Sequence, residues 1–255
     1  MHNPKLVIKE VSSSYVHHGR ELPVLNAVSL HVEQGEFVSL LGPSGSGKST
    51  LLKIIAGLLR PALGTVILNG KELNGRTVKM GYMPQKDLLL PWKSLLYNAA
   101  LPLLVQGTGK KEAYGRVRKL LPVFGLEGFE NCYPSQLSGG MRQRAALLRT
   151  VLIDSEVILL DEPFGALDAL TRERLQEWLL QIWEQFKRSV LFITHSIDEA
   201  IYLSDRIYMI SERPGKIVLE QVISLPRPRA RDIVTSPLFT EYKQILMKSL
   251  ANESI

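Results

Sequence analysis

Nine residues, Gly42-Pro43-Ser44-Gly45-Ser46-Gly47-Lys48-Ser49-Thr50, carry the most specific chemistry in this 255-residue chain. They meet the pattern G-x-x-x-x-G-K-[ST] at Gly42, Gly47, Lys48 and Ser49. Glycines at these places allow torsions closed to other residues, so successive backbone N–H groups can point inward at phosphate oxygens. A helix beginning near Lys48 adds the positive end of its dipole to the same spot. Lys48 would then reach the β- and γ-phosphates of a nucleoside triphosphate, and the Ser49 hydroxyl would be a Mg²⁺ ligand.

Phosphoryl transfer to water also needs a carboxylate for the metal, a base for the water and a contact for the γ-phosphate. Asp161 and Glu162 follow the apolar run Val157 to Leu160. Carboxylates at the carboxyl end of a parallel strand lie where such sheets gather their ligands. Asp161 would hold Mg²⁺, mainly through water, and Glu162 would take the proton from the attacking water. His195 follows a second apolar strand, Val190 to Thr194, and could touch the γ-phosphate. Farther away, Leu137-Ser138-Gly139-Gly140-Met141-Arg142-Gln143 reads as a capped helix start, open to close approach by an anion. The phosphate loop already serves one side of its nucleotide. A second phosphate site so far along the chain therefore implies a second molecule.

Taken in order, Gly42–Thr50, Gln85, Leu137–Gln143, Leu159–Glu162, Gly165-Ala166-Leu167-Asp168 and His195 resemble the motifs of ATP-binding-cassette (ABC) transporter ATPases over nearly the whole chain. The resemblance implies ATP and Mg²⁺ as cofactors. It also implies a head-to-tail dimer of two copies, with each ATP between one copy's phosphate loop and the other's Ser138–Gly140. Carried over residue by residue, the nucleotide contacts are Tyr15, stacked on adenine, Gly42, Pro43, Ser44, Gly45, Ser46, Gly47, Lys48, Ser49, Thr50, Gln85, Ser138, Gly139, Gly140, Gln143 and Asp168. Lys48, Glu162 and His195 are the catalytic groups, with His195 as the switch histidine. Ser49, Gln85 and Asp161 are the metal ligands, and Gln85 also signals to a membrane partner. Asp168 would communicate across the dimer. Gly165 departs from the family, many of whose members carry Ser there, so no cross-dimer hydroxyl contact is expected.

Leu160–Asp168, His195-Ser196-Ile197-Asp198-Glu199-Ala200 and Arg213-Pro214-Gly215-Lys216-Ile217 resemble the nitrate/sulfonate/taurine importer branch more narrowly. That branch implies transmembrane permease subunits as partners, a solute-binding protein acting indirectly, and a peripheral place on the cytoplasmic face of the membrane. Leu88 to Trp92 would help form the groove for the permease, although a buried tryptophan serves as well. A vitamin-precursor importer or an exporter would look much the same from this subunit. A nucleic-acid-acting member fits less well, because the long coiled coils, zinc modules and paired cassettes of such proteins are missing here. No nucleic-acid partner is expected.

These residues need a frame to place them. Strand patterns at Leu6 to Val11, Val24 to Val32, Phe37 to Leu41, Thr65 to Leu68 and Lys79 to Met83 make the front of the chain rich in β structure, with a loop at His17, His18 and Gly19. Leu51, Leu52, Ile54, Ile55 and Leu58 fall at helical spacing behind the phosphate loop, ending near Gly57. Helices are expected at Leu95 to Val105, Lys111 to Phe124 and after Ser138. Strands at Val157 to Leu160 and Val190 to Ile193 are apolar throughout, as in a parallel sheet covered on both faces. A helix whose stripe is Leu175, Trp178, Leu179, Ile182, Trp183 and Phe186 lies between those two strands. Behind them follow a short helix, Ile197 to Leu203, and strands at Arg206 to Ile210 and Lys216 to Ile223.

The expected fold is α/β: a P-loop NTPase core with an N-terminal antiparallel β-subdomain (residues 1–88 and 157–225), a helical subdomain (89–156), and a linker with a C-terminal helix (226–255). Length, 45% hydrophobic and 22% charged residues suit one such globular domain with a helical insert. The net charge of +6 is spread along the chain except at Arg227, Arg229 and Arg231, and reads as a solvated surface. A single cysteine, Cys132, excludes an internal disulfide. No signal-peptide core and no run of about 20 apolar residues is present, so the chain is not expected to cross a membrane.

Overall fold

The computed structural model describes residues 4–17, 19–73, 79–165 and 167–252. In chain order its elements are β1 (Leu6–His17), β2 (Arg20–Val32), β3 (Phe37–Leu41), α1 (Lys48–Ile55), β4 (Leu63–Leu68), β5 (Lys71–Glu72) and β6 (Gly81–Met83). They continue with α2 (Leu95–Val105), α3 (Lys110–Leu120), α4 (Gly139–Val151), β7 (Val157–Asp161), α5 (Ala169–Phe186) and β8 (Ser189–Thr194). The last are α6 (Ile197–Leu203), β9 (Arg206–Ile210), β10 (Ile217–Val222) and α7 (Pro237–Asn252). Contacts divide the chain into two units, Met1–Val78 with Phe186–Ile255, and Lys79–Gln185. The expected helical subdomain, residues 89–156, lies within the second unit, where the packing also gathers β6, β7 and α5.

In the first unit an antiparallel sheet runs β2-β1-β4-β5. The strand expected at Leu6 to Val11 continues to His17, and its partner begins at Arg20 rather than Val24. The pairing holds from Leu6↔Val32 to His17↔Arg20, so Ser12 to Tyr15 belong to a long hairpin, and His17, expected in the loop, is the last paired residue of β1. The register shifts along this hairpin, and Glu10 and Ala27 take positive φ of 48° as bulged residues do. His18, expected in the loop, lies outside the described residues. The alternation of the two strands buries Leu6, Ile8, Val11, Val28, Leu30 and Val32 on one face.

Beside it, β3 pairs in parallel with β8 on one side and β9 on the other, and β10 closes the edge antiparallel to β9. All five residues of β3 are buried, as expected for an apolar central strand with both faces covered. That strand ends at Leu41, directly before the phosphate loop. Its base is fixed by Asp205, whose N–H donates to the Phe37 carbonyl at 2.8 Å and whose carboxylate accepts from the Phe37 N–H at 2.9 Å. The linker arginines are not a solvated patch. Arg229 is 5% exposed and Arg227 pairs with Asp205 at 2.8 Å, because their guanidinium groups serve carbonyl oxygens inside the unit.

The second unit holds the parallel pair β6–β7 and helices α2 to α5. Strand β7 is buried throughout. Its helices carry a polar device that the apolar pattern does not reveal. Asn98, fully buried on α2, accepts from the Leu90 N–H at 2.7 Å and donates to the carbonyls of Leu90, Lys93 and Ser94 at 3.0–3.1 Å. A buried amide is costly unless paired, and here both of its ends are paired, which fixes the loop before α2. That loop leaves Leu88 and Trp92 59% and 67% exposed, so Trp92 is a surface residue and not a core one.

Candidate functional site

The phosphate loop is built as a cradle. Gly45 and Gly47 take φ of 85° and 98°, a region that residues with a Cβ avoid. At Gly47 a Cβ would also press on Leu25 Cδ2 at 2.7 Å. Lys48 is 4% exposed, and its ammonium donates to the carbonyls of Gly42 and Pro43 at 2.8 and 2.7 Å. The charge therefore lies within the curve of the loop. No side chain caps α1, whose N-cap is Gly47. A helix start with glycine in place of a capping side chain is suited to receive phosphate. Ser44, Gly45 and Ser49 are exposed on this loop, whereas Pro43, Gly47 and Thr50 are half-buried. Ser46 is buried, and its hydroxyl makes no hydrogen bond among the described residues.

Two further expected residues of the first unit stand near this loop. Tyr15 on β1 is 41% exposed, and its hydroxyl lies 3.4 Å from the Thr50 hydroxyl. His195, exposed just past the end of β8, lines a cavity of about 260 Å³ together with Gly42 and Pro43. Gly215 supports the loop from behind. A Cβ at this position would come within 2.3 Å of the Ser46 carbonyl, so only glycine lets the segment before β10 approach so closely. In the sequence Gly215 stands out only through the branch resemblance, because a close backbone approach has no local signature.

In the second unit, Asp161 ends β7 and is 3% exposed. The Tyr82 hydroxyl on β6 points at its carboxylate at 3.5 Å. Burial, and then the charge of Asp161, push the Tyr82 pKa up to about 12, so the phenol remains a donor at neutral pH. Glu162 takes φ of 45°, an uncommon conformation for a glutamate, of the kind that accumulates at functional positions. The Gln85 amide donates to its Oε2 at 3.3 Å. Gln85, Asp161 and Glu162 are therefore gathered around the ends of β6 and β7.

The segment that follows Gln85 is tied to α4. Arg142 pairs with Asp87 at 3.3 Å, and Arg149 donates to the Leu88 carbonyl at 2.8 Å and to that of Asp87. Tyr82 and Arg149 carry no site signal in the sequence, and Arg142 stands out only as part of the Leu137–Gln143 motif. Their roles depend on which neighbours the fold supplies.

At the start of α4, the Ser138 hydroxyl accepts from the Met141 N–H at 3.2 Å, as its N-cap reading requires. Gly139 and Gly140 follow within the helix. Cβ atoms there would meet Leu167 at 3.3 Å and Thr171 at 3.2 Å, so the helix start lies close against the beginning of α5. Gln143 faces the other way. It is 9% exposed and lines a small cavity with Met83, Leu147, Leu160 and Leu175, inside the unit.

Asp168 caps α5 by accepting from the Thr171 N–H at 3.0 Å, and that bond, followed by one from the Thr171 hydroxyl, holds its pKa below the usual carboxylate value. Ala166, quoted above with Asp168, lies outside the described residues. Gly165 has space: a Cβ would meet nothing closer than the Glu162 carbonyl at 3.5 Å, so its lack of a side chain is not forced by packing.

The donors suit Mg²⁺ by their chemistry. Ser49, Asp161 and Gln85 offer only oxygen ligands, one of them a carboxylate, and Mg²⁺ is commonly held by one or two carboxylates plus the phosphates of a substrate. Among the described residues no helix is long and apolar enough to cross a membrane.

Residues 25–165 match the protein family described as ABC transporter. The aliphatic sulfonates import ATP-binding protein SsuB of Bacillus cereus is 44% identical over 243 residues, 94% of each chain. The nitrate import ATP-binding protein NrtD of Synechocystis is 40% identical, over 93% of this chain and 91% of its own. The formylaminopyrimidine import ATP-binding protein ThiZ of Halalkalibacterium halodurans is 41% identical, over 96% and 94%. Among solved structures, the dimeric form of a bacterial ABC transporter cassette superposes with a TM-score of 0.76 at 33% identity, covering 87% of this chain and all of that one.

Proposed function

The chain belongs to the ABC transporter family of ATPases, and on that premise we propose that it is the subunit that hydrolyses ATP to power import of a small solute through a separate membrane permease. The observation that carries this reading is its likeness, along more than nine-tenths of its length, to import subunits. The phosphate loop, already in cradle geometry, supports the ATPase half of it.

In this reading Tyr15 stacks on adenine, and the N–H groups of residues 42–50 with the Lys48 ammonium bind the β- and γ-phosphates. Ser49, Asp161 and Gln85 hold Mg²⁺, which when bound neutralises phosphate charge. Glu162 takes the proton of the attacking water and His195 contacts the γ-phosphate. Ser138–Gly140 of a second copy closes the nucleotide from the other side, head to tail, while Gln143 packs behind that helix start. Asp168 transmits closure between the copies. Exposed Leu88 and Trp92 form part of the groove for the permease, on the cytoplasmic face of the membrane. The relatives' sulfonate and nitrate favour a small anion, delivered by a solute-binding protein. The formylaminopyrimidine relative keeps a vitamin precursor as the second reading.

The test is reconstitution with the permease and binding protein. Solute-loaded binding protein should stimulate ATP turnover. Glu162→Gln should lower that turnover by ~10²–10⁴, the usual worth of a general base, and stop uptake while ATP is still bound. Wild-type turnover in this variant, or uptake indifferent to it, overturns the proposal.

A further inference from the structure

The helix that follows His195 is held at both ends by the C-terminal part of the chain. Helix α6 has seven residues, too short to be stable by itself. Its first turn is fixed locally: the Ser196 hydroxyl accepts from the Glu199 N–H at 3.4 Å, and the Ser196 N–H donates to the Thr194 hydroxyl at 2.9 Å. Its last turn leaves carbonyl oxygens that no helical N–H can reach. Two arginines from the segment after β10 take them. Arg229 Nη1 donates to the carbonyls of Ile201, Tyr202 and Ser204 at 3.0, 2.9 and 2.8 Å, and Arg227 Nη2 donates to that of Leu203 at 2.8 Å. A buried guanidinium is tolerated because these bonds replace water, and its positive charge suits the negative end of the helix.

The same segment bears on neighbouring parts of the site. Arg227 Nε pairs with Asp205 at 2.8 Å, and Asp205 anchors Phe37 at the base of the strand that leads into the phosphate loop. Helix α7 docks through buried Phe239, Tyr242 and Leu246. Its Lys243 pairs with Asp198, in the first turn of α6, at 2.8 Å. Near its end, Leu250 lines the cavity shared by His195, Gly42 and Pro43. We infer that residues 224–252 form a positioning strap. Arg227, Arg229 and Lys243 fix α6, Leu250 lines the cavity beside His195, and together they place the imidazole for ATP turnover without touching nucleotide. The inference rests on the reading of His195 as the γ-phosphate contact.

The experiment is steady-state ATP hydrolysis by the full chain in Arg229→Gln, His195→Ala and the double variant. A displaced catalytic group of this kind costs up to ~10²-fold, so Arg229→Gln should lower kcat by roughly tenfold to a hundredfold, with KM for ATP within about twofold. Added to His195→Ala, it should lower kcat no further, because both changes remove one function. A folded Arg229→Gln with wild-type kcat overturns the strap, and so does a full multiplicative loss in the double variant, which marks a merely structural role. If His195→Ala itself turns over normally, the histidine assignment falls, and the strap falls with it. Should Arg229→Gln not fold, Lys243→Asp serves instead. An exposed ion pair predicts a loss of about two- to threefold in kcat, restored by adding Asp198→Lys. No loss, or no restoration, overturns the proposal.

Discussion

Two helix starts in this chain offer themselves to phosphate, and they are built in opposite ways. Helix α1 begins without a side-chain cap, behind glycines at positive φ, with a buried lysine folded into the loop. Helix α4 begins with a serine that caps it, followed by two glycines that are helical and closely packed. The first has no side-chain cap and brings its own cation. The second has one of its N–H groups taken by the Ser138 cap, keeps the Arg142 guanidinium beside it on the Leu137 carbonyl, and offers a small, close surface. A dipole alone is worth ~0.3–1 kcal/mol at an exposed site, so the α4 start binds strongly only when another surface encloses the ligand with it. Under the proposed function, the α1 loop is the primary nucleotide site, and the α4 start is a complement that acts on a nucleotide held elsewhere.

Breaking the primary site should have the largest effect. Lys48→Ala removes the buried ammonium and leaves the carbonyls of Gly42 and Pro43 without that donor. Loss of one such electrostatic contact to transferring phosphate costs about 10²–10³ in turnover. ATP binding to the separate subunit, followed by a fluorescent analogue, should weaken as well. Tight binding in Lys48→Ala would erase the asymmetry between the two helix starts.

Breaking the complement should separate binding from turnover. Gly140→Leu puts a side chain where a Cβ already meets Thr171 at 3.2 Å and blocks approach to the helix start. Turnover should fall roughly tenfold to a hundredfold, as for a misplaced reacting partner, while the separate subunit binds ATP as before. Mixing the Lys48→Ala and Gly140→Leu proteins sharpens the comparison. In a head-to-tail dimer of unlike copies, one of the two sites has an unaltered loop facing an unaltered α4 start, so turnover should recover. No recovery would argue that each copy completes its own site.

The contrast also explains what could be read from sequence and what could not. The cradle was legible because glycine, lysine and hydroxyl residues at fixed spacing determine a local conformation, and Ser138 was legible as a cap for the same reason. Strand β3 and helices α2 and α6 appear at the limits expected. The strand pattern ends at Val11 because Ser12 to Ser14 break its apolar alternation, yet cross-strand pairing carries the strand on to His17. Arg227 and Arg229 looked like surface charge, and Asn98 like an ordinary helical residue. Each is identified only by the carbonyl oxygens the fold brings to it. The interior placement of Gln143 was hidden too, because the side of a helix that meets its neighbours depends on the tertiary packing.

The smallest effect tests the capping difference itself. Ser138→Ala removes the acceptor of the Met141 N–H, and such caps are worth about 0.5–2 kcal/mol, so the thermal midpoint of the separate subunit should drop by a few degrees. ATP should not cancel that loss. A ligand that binds the native state at a hundred times its Kd stabilises by ~2.7 kcal/mol, and it does so through the uncapped α1 loop, equally in wild type and variant. The two melting curves should therefore rise in parallel with ATP, keeping a constant separation. If ATP closed the gap in a subunit kept monomeric by dilution, the Ser138 helix start would be taking phosphate within its own chain, and the division between primary site and complement would fail.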